Sequence, residues 1–302
     1  MYVHLVDGTF ELFRHHHAPN NDDPERGAVR GVLRSMVWLL ERGGPDDIPA
    51  THVGVATDHV IESFRNALWP TYKSSAGVPP ELLDQFTPLE DALRALGLVV
   101  WAMEELEADD ALAAAAAQAD ADDRVAKVII ATPDKDLGQC VRGDRVIQWD
   151  RMRGTTRDAD GVFDKTGVTP AQIPDWLGLV GDSADGFPGL PGFGAKTAAA
   201  LLTRFGHIDD IPDDHAAWGK VRGAAKLAGV LRENRQEALL FRTIATLVDD
   251  ADLGTTVDDL EWTGPTLDFE AICAEYDCDD LLDRVAALRD GGAPQTQAEL
   301  PL

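Results

Sequence analysis

The chain has 302 residues, with 27 lysines and arginines against 53 aspartates and glutamates, so its formal net charge is −26. Hydrophobic residues make up 44 % of the sequence, which is enough for a buried core and excludes disorder of the whole chain. So acidic a balance argues against contact with nucleic acid, unless a cation bridges the two or basic residues gather locally. The distribution of charge along the chain is therefore more informative than its sum.

The three cysteines and the apolar runs indicate the compartment. Cys140, Cys273 and Cys278 have no metal-ligand spacing and cannot form a disulfide framework, which fits a reducing environment. No apolar run approaches the roughly 18 residues of a membrane helix, and the first residues are typical of a strand and not of a signal peptide. We expect a soluble, cytoplasmic monomer without membrane contact.

In the first half of the chain, short β-branched runs that end in an acidic residue alternate with helical stretches. The runs cover residues 2–6, 52–57 and 127–132 and lead into Asp7, Asp58 and Asp134. This alternation predicts an α/β fold, with a mostly parallel sheet between helices. Because ligands of open α/β sheets bind at the carboxyl ends of the strands, these acidic residues should meet at one rim.

From about Thr169 the pattern changes to helices only. Helical stretches are predicted near 171–180, 194–205, 216–229, 232–248 and 279–290, with glycine- and proline-rich turns between 186 and 194. We therefore predict an α/β domain over 1–168, a helical region over 169–290 and a flexible tail over 291–302.

Nine acidic residues stand after strands, at the start of a helix or in a glycine-rich turn. They are Asp7, Asp58, Glu107, Asp109, Asp110, Asp134, Asp136, Asp182 and Asp185. Burying several unpaired carboxylates at one rim would cost roughly several kcal/mol each, so cations must neutralise them. Oxygen ligands without Cys or His select Mg²⁺ or Mn²⁺, and two such ions support phosphodiester hydrolysis. The sequence predicts a metal-dependent nuclease.

Each acidic residue also has a simpler explanation when it is taken alone. Asp109 and Asp110 could only cap a helix, and Asp134 could cap the short helix that follows it. Residues 7–9 are similar to a phosphate-transfer motif of haloacid-dehalogenase-type phosphatases, but that motif needs an aspartate where Leu5 stands. The joint occurrence of five acidic sites, in the order in which a sheet brings them together, favours the nuclease.

Five spaced motifs agree in order and residue type with one known family. They are Leu-Val-Asp-Gly at 5–8, Phe-Arg at 64–65 with Tyr-Lys at 72–73, Glu-Ala-Asp-Asp at 107–110, Thr-Pro-Asp-Lys-Asp-Leu at 132–137 and Gly-Asp-Ser-Ala-Asp-Gly-Phe-Pro-Gly at 181–189. Over about residues 2–250 the chain resembles the bacterial flap endonucleases, which include the 5′→3′ exonuclease domain of bacterial DNA polymerase I. The resemblance implies a PIN-like 5′ nuclease fold, with a helical arch over about 65–106 and a C-terminal helix–turn–helix (helix-hairpin-helix) that clasps duplex DNA.

The resemblance also implies roles for individual residues. One metal ion would be held by Asp7, Asp58, Glu107 and Asp109, and the other by Asp134, Asp136, Asp182 and Asp185, while Asp110 is assigned to neither. Arg65 and Lys73 would contact the reacting phosphate at the base of the arch. Tyr72 could stack on a base or pack in the core.

The glycine-rich turn and the helix after it are the candidate DNA-binding element. Backbone N–H groups of such a turn, together with the positive end of the following helix, bind phosphate. The element resembles the family's clasp, which often carries K⁺ and grips one strand without reading bases. Candidate DNA-binding residues here are Gly189, Gly192, Gly194, Lys196 and Thr197. Basic residues gather in the same region, namely Lys196, Arg204, Lys220, Arg222 and Lys226.

The C-terminal residues contain a possible docking peptide. Gln297, Leu300 and Leu302 form a Gln-x-x-Leu-x-Leu pattern. This pattern resembles the peptides with which bacterial replication proteins dock on the sliding clamp. The alternative is a tail without function.

Together these features predict a stand-alone, Mg²⁺- or Mn²⁺-dependent 5′ nuclease that acts on flapped, nicked or gapped DNA in replication or repair. A PIN-type ribonuclease would share the acidic rim but lack the arch and the glycine-rich turn. A non-catalytic DNA-junction binder would keep the turn, but it has no need for nine crowded carboxylates.

Overall fold

A six-stranded sheet forms the central layer of the protein, of which the structure, a computed structural model, describes residues 1–289. Its strands are β1 (Tyr2–Asp7), β2 (His52–Thr57), β3 (Val99–Ala102), β4 (Lys127–Ala131), β5 (Val146–Asp150) and β6 (Thr155–Arg157). The spatial order is β3-β2-β1-β4-β5-β6, and all neighbours are parallel except β5 and β6. The predicted α/β class with a mostly parallel sheet is confirmed.

Helices cover the sheet and form the second half of the chain. The α-helices are α1 (Gly8–His16), α2 (Gly27–Arg42), α3 (Arg65–Leu68), α4 (Pro80–Leu83), α5 (Phe86–Ala95), α6 (Ala108–Asp120), α7 (Ala159–Thr166), α8 (Ile173–Val180), α9 (Ala195–Phe205), α10 (Ala224–Ala245), α11 (Phe269–Glu275) and α12 (Asp280–Arg289). Short 3-10 helices span Pro45–Asp47, Asp136–Cys140, Pro170–Gln172, Ile208–Asp210, His215–Trp218 and Asp258–Leu260. None of the helices described within residues 1–289 has the length and apolar character needed to cross a bilayer.

The central strands are apolar because both faces of the sheet are covered. On one face Val6 and Ile129 pack with the buried residues of α2, α5, α11 and α12. On the other face Leu5 and Ile130 pack against the alanine-rich α6. Consecutive strand residues therefore enter opposite cores, which explains the unbroken apolar runs.

The strand order reverses between β1 and β4. From β1 the chain builds outward through β2 to β3, and it then returns to place β4 on the other side of β1. Such a switch point opens a crevice at the carboxyl ends of the two strands, where α/β proteins bind their ligands. Asp7, at the end of β1, and Asp134, shortly after β4, lie at this crevice.

The predicted arch extends too far along the chain. Of residues 65–106, β3 is a sheet strand paired with β2, and α5 buries Leu89 and Leu93 in the first core. The segment between β2 and α5 contains only the four-residue helices α3 and α4. The boundary at 106 was wrong because it followed motif spacing and passed over the β-branched, aromatic run Val99–Ala102.

The helical region forms its own core but ends earlier than predicted. Buried residues of α8, α9 and α10 make up this core. The two helices predicted over 216–229 and 232–248 are largely the single helix α10, which is irregular only at Asn234 (φ −122°, ψ 18°). After α10 the chain returns to the α/β layer, where α11 and α12 pack in the first core. The predicted boundary at 290 is therefore wrong, and the tail over 291–302 lies outside the described residues.

A buried histidine in the central strand makes a contribution to stability that is lost in acid. His4 is 0 % exposed, and neither of its ring nitrogens has a hydrogen-bond partner among the residues that the structure describes. Burial lowers the pKa of His4 from 6.5 to about 4, and the charge of Arg151 acts in the same direction. Between these values the unfolded chain binds a proton that the folded chain does not. The contribution of His4 to stability is therefore complete above pH 6.5 and is lost as the pH falls towards 4.

We expect acidification from pH 6.5 to 4 to lower the free energy of unfolding through His4 by at most about 3 kcal/mol. Urea unfolding at several pH values in this range should show that the free energy of unfolding depends less steeply on pH in His4→Leu than in the unmodified protein. His15, whose pKa is also lowered to about 4 by burial, remains in the variant as the background. Equal slopes for the two proteins would contradict the prediction.

Candidate metal centre and nucleic-acid interface

An open pocket of ≈ 430 Å³ lies at the switch point of the sheet. Its charged lining residues are Asp7, Asp58, Lys73, Asp109, Asp134, Lys135 and Lys165. The carboxylates come from the end of β1, the residue after β2, the first turn of α6 and the loop after β4. The sheet therefore brings together residues up to 127 positions apart in the sequence.

Backbone and hydroxyl donors orient the first two carboxylates. Asp7 caps α1, since one of its oxygens accepts from the Phe10 N–H at 2.8 Å, while the other accepts from the Thr132 hydroxyl at 2.9 Å. Asp58 Oδ1 accepts from the Ala108 N–H at 2.7 Å, at the start of α6. These contacts fix both side chains at the pocket.

Burial and the nearness of other carboxylates raise the pKa values of the acidic residues in the pocket. Burial raises the pKa of Asp7 from 3.8 to about 7, and the nearby charges of Asp58 and Asp134 add to the effect. Burial likewise raises the pKa of Asp58, and it raises that of Asp109 well above its ordinary value. A positive ion in the pocket would favour the charged form of each group.

A second group of carboxylates, Asp136, Asp182 and Asp185, forms a triad. Each offers one oxygen, and these oxygens lie within 4.8 Å of one another. Asp136 Oδ1 is buried and has no hydrogen-bond partner among the described residues. Burial raises the pKa of Asp136 well above its usual range and that of Asp185 to about 7. An orphaned buried oxygen in an all-oxygen set fits a hard divalent cation such as Mg²⁺ or Mn²⁺.

Asp110, the ninth predicted metal residue, is occupied elsewhere. It is 0 % exposed, and its oxygens accept from both terminal nitrogens of Arg65 at 2.7 Å. They also accept from the N–H groups of Glu107 and Val248, each at 2.9 Å. The prediction that Asp110 is a metal ligand is wrong, because these four donors occupy its lone pairs.

Glu107 lies between the pocket and the residues behind it. Its Oε1 accepts from the Ser63 hydroxyl at 2.6 Å and from Arg65 at 3.0 Å. Its Oε2 pairs with Lys73 Nζ at 2.6 Å and accepts from the Tyr72 hydroxyl at 3.2 Å. Glu107 can contact a metal only after Lys73 has moved.

Arg65 does not lie where a phosphate could reach it. The residue is 1 % exposed, and its Nε and Nη2 donate to the Ile244 and Thr246 carbonyls at the end of α10. Its other donors are held by Glu107 and Asp110. All five guanidinium hydrogens have partners, so the predicted contact of Arg65 with the reacting phosphate is wrong.

The two residues at the base of the arch differ in exposure. Tyr72 is 6 % exposed and packs in the second core, so it cannot stack on a base, and the packed alternative holds. Lys73 lines the pocket, and its Nζ lies 3.5 Å from Asp58 Oδ2. Although burial opposes its charge, Asp58 and Glu107 hold the pKa of Lys73 well above its ordinary value.

Two further lysines line the pocket that sequence reasoning did not assign. Lys135 forms an ion pair with Asp182 and lies 3.5 Å from Asp136 Oδ1. Its position between two aspartates of the motif at 132–137 could have indicated from the sequence that it lies at the site. Lys165 belongs to α7, where nothing in the sequence points to the site.

The base of the arch is attached to the turn that carries the triad. The Lys73 N–H donates to the Asp185 carbonyl at 3.0 Å, and the Trp69 indole N–H donates to the Gly186 carbonyl at 3.1 Å. A side chain at Gly186 would collide with the Thr71 carbonyl, 2.1 Å from the position of its Cβ. The pocket lysine and the triad are therefore connected through backbone contacts.

The candidate clasp consists of α8, the turn over 181–194 and α9. Gly192 (φ 85°) and Gly194 are exposed, as is Lys196, while Thr197 is half-buried. Gly194 gives α9 no side-chain cap, so the first N–H groups of the helix are left for water or an anion. Gly189 differs from the other glycines, because it is buried and a Cβ there would lie 2.3 Å from the Gly181 nitrogen. Its predicted DNA contact is corrected to a packing role.

The basic residues predicted to gather in the helical region are exposed. They are Lys196, Arg204, Lys220, Arg222 and Lys226, none of which forms an ion pair with another described residue. Lys196 lies in the first turn of α9 and Arg204 in its last. Leu227 of α10 packs close to Gly192, which brings the start of α10 to the turn. The strongly negative chain therefore has a local surface of unpaired positive charge.

Two family descriptions match the chain along most of its length. The 5′-3′ exonuclease, N-terminal resolvase-like domain matches residues 2–168, and the 5′-3′ exonuclease, C-terminal SAM fold matches residues 168–268.

Curated relatives include DNA polymerase I of Pseudomonas aeruginosa, which is 35 % identical over an alignment 318 residues long. This alignment covers 98 % of this chain and 33 % of that protein. DNA polymerase I of Bacillus caldotenax is 30 % identical, with 99 % of this chain and 33 % of that protein covered. The chain thus spans about a third of the length of these relatives.

Solved structures share the fold at low sequence identity. The T5 D15 protein co-crystallised with metal ions has a TM-score of 0.64 and 18 % identity, with 94 % of this chain and 100 % of that chain covered. A complex of the bacteriophage T5 D15 flap endonuclease with DNA and metal ions has a TM-score of 0.63 and 21 % identity, with 95 % of this chain and 100 % of that chain covered. The catalytic core of Rad2 with a DNA substrate has a TM-score of 0.60 and 15 % identity, with 95 % of this chain and 92 % of that chain covered.

The carboxylates at the switch point and the turn before α9 occur in a chain whose N-terminal family match alone covers more than half of its residues. The chain belongs to the 5′-3′ exonuclease family.

Proposed function

We propose that this protein is a divalent-metal-dependent, structure-selective 5′ nuclease that cuts flapped, nicked or gapped DNA in replication or repair. One observation carries the proposal: carboxylates from distant segments meet at the switch point of the sheet, beside an open pocket, and one of their buried oxygens accepts no hydrogen bond from any described residue. Family membership supports the direction of cutting.

We infer two metal positions, with Asp134 at the first ion and not at the second, to which the resemblance assigned it. Asp7, Asp58, Asp109 and Asp134 surround the pocket and would hold one ion, with Glu107 joining when Lys73 moves. The triad of Asp136, Asp182 and Asp185 would hold the other. Bound Mg²⁺ or Mn²⁺ ions would supply an activated water and stabilisation of the leaving oxygen.

Lys73 is the side chain that this chain offers to the scissile phosphate. Its ammonium lines the pocket, and Asp58 and Glu107 keep it charged. The Lys73 ammonium would stabilise the negative charge that develops on the non-bridging oxygens of a phosphate bound there during cleavage. Arg65 acts from behind, as a positioning residue that holds Glu107 and the start of α6.

The clasp supports duplex DNA as the substrate. Exposed glycines, an uncapped helix end and unpaired cations are a surface for phosphates and not for base edges. The structures of the T5 flap endonuclease and of the Rad2 core contain DNA, which supports the same partner for this chain.

The two alternative functions have less support. A PIN-type ribonuclease has no use for a clasp, and the C-terminal family match includes this element. A DNA-junction binder without catalysis does not need buried, crowded carboxylates such as Asp7, whose pKa is raised to about 7 by burial and further by the charges of Asp58 and Asp134.

Two further predictions from the sequence remain predictions. K⁺ at the turn before α9 would be held by backbone carbonyls of the clasp. The clamp-binding residues Gln297, Leu300 and Leu302 lie outside the described part of the chain.

Asp134→Ala should abolish cleavage while leaving DNA binding intact. Removal of a metal ligand forfeits several kcal/mol of transition-state stabilisation, so cleavage should fall roughly 1,000-fold. Cleavage of a labelled 5′-flap duplex with Mg²⁺, and binding of the same duplex with chelator, measure the two effects.

Asp144→Ala is the matched control, because Asp144 is an exposed carboxylate in the turn before β5. It should cleave as the unmodified protein does. Lost binding with preserved cleavage by Asp134→Ala would contradict the assignment of Asp134.

Arg65→Met should destabilise the protein by about 3–5 kcal/mol, because it leaves Asp110 buried without its partner. The double variant Arg65→Met with Asp110→Leu should recover part of this loss. Urea unfolding measures both, with Arg94→Met, at an exposed arginine of α5, as the control. If Arg65→Met were as stable as the unmodified protein and only cleavage fell, Arg65 would contact the phosphate after all.

Lys196→Ala should weaken binding of duplexes of different sequence to the same degree. If Lys196 neutralises one phosphate, the slope of log K against log salt concentration should decrease by about 1. Fluorescence anisotropy at several salt concentrations measures this slope. Arg94→Ala should leave it unchanged, and a sequence-dependent effect of Lys196→Ala would argue against a backbone clasp.

A further inference from the structure

Lys135 stands between two metal-site aspartates, and the proposed mechanism gives it no role. The residue follows Asp134, just beyond β4, and precedes Asp136. Its Nζ forms an ion pair with Asp182 Oδ2 and lies 3.5 Å from Asp136 Oδ1. The Lys135 side chain is 32 % exposed, whereas Asp136 and Asp182 are buried.

The ammonium contacts the same carboxylates that a metal ion would need. Asp136 and Asp182, together with Asp185, offer ligand oxygens within 4.8 Å of one another. Asp136 Oδ1, which Lys135 approaches without forming a hydrogen bond, has no other partner among the described residues. A divalent ion coordinated by these oxygens would lie close to the ammonium, and like charges at such a distance repel strongly.

We propose that Lys135 is an internal counter-ion of the triad, which neutralises Asp136 and Asp182 in the metal-free protein and is displaced when a divalent ion binds. The inference rests on the proposed metal site. Lys135 would thus reduce the repulsion between the triad carboxylates when the protein folds without metal. It also follows that the triad binds its ion more weakly than the three carboxylates alone would, because the ion must break an existing ion pair.

The other half of the site has a similar arrangement. Lys73 Nζ lies 2.6 Å from Glu107 Oε2 and 3.5 Å from Asp58 Oδ2. Each group of carboxylates therefore has its own lysine. Lys73 also belongs to the proposed catalytic machinery, so Lys135 is the residue on which displacement can be tested.

The test is Mn²⁺ binding by isothermal titration calorimetry on the unmodified protein, Lys135→Met and Lys165→Met. Methionine keeps the length of the side chain and removes its charge. Lys165 lines the same pocket but has no ion pair with the triad, so Lys165→Met measures through-space repulsion alone. We expect Lys135→Met to bind one Mn²⁺ roughly tenfold tighter and Lys165→Met to change affinity much less.

Thermal unfolding gives a second readout that does not depend on activity. In chelator, Lys135→Met should unfold at a lower temperature than the unmodified protein, because the triad has lost its counter-ion. In saturating Mn²⁺ the two should unfold at similar temperatures. Lys127→Met, at the opposite end of β4, is the control for a lost lysine and should match the unmodified protein in both conditions.

Three outcomes would overturn the inference. Lys135→Met could bind Mn²⁺ no more tightly than the unmodified protein, Lys165→Met could show the same gain, or a Mn²⁺-bound structure could retain the Lys135–Asp182 contact with an ion in the triad. Failure of the proposed function has a different signature, since the unmodified protein would then bind no Mn²⁺ and leave flap DNA uncut.

Discussion

Repulsion between carboxylates at the carboxyl edge of the sheet is the constraint on which the rest of the structure depends. The parallel strands bring Asp7, Asp58 and Asp134 to one rim because β1 lies between β2 and β4. The apolar cores on both faces hold the rim together, so the carboxylates cannot separate to relieve their repulsion. Each must be neutralised where it lies, by a hydrogen bond, a cationic side chain or a metal ion.

The chain divides this task among three cations that act at different depths. Arg65 is buried and neutralises Asp110, Lys73 pairs with Glu107 at the base of the arch, and Lys135 pairs with Asp182 nearer to solvent. The guanidinium of Arg65 makes five hydrogen bonds, two of them to Asp110. We propose that the contacts of the two lysines are the ones that a metal ion or a phosphate replaces. The buried arginine therefore has a structural role, whereas the two more exposed lysines are the candidates for a role in metal or phosphate binding.

Sequence reasoning found the rim but not the side chains that act behind it. The strand runs that end in Asp7 and Asp58 follow from β-branched patterning, and the sheet with its switch point confirms the α/β class. The burial of Arg65 and Tyr72 depends on residues that are distant in the sequence, such as Ile244, whose carbonyl accepts from Arg65 across 179 positions, and the second core that surrounds Tyr72. Sequence reasoning left Tyr72 open between stacking and packing and gave no sign that Arg65 is buried. The strand β3 was overlooked although its composition favours it, since motif spacing was given more weight than local propensity. Gly189 shows the same limit, because a glycine needed for close packing has the same sequence signature as one near a phosphate.

The guanidinium of Arg65 also links two parts of the molecule. It holds the start of α6, which carries the pocket, and the last carbonyls of α10, whose other end reaches the clasp. The side chain of Arg65 therefore connects the pocket to the helix that reaches the candidate clasp. For the nuclease that we propose, this arrangement implies that the distance from the bound duplex to the cleaved bond is set by the protein and not by the length of the DNA flap.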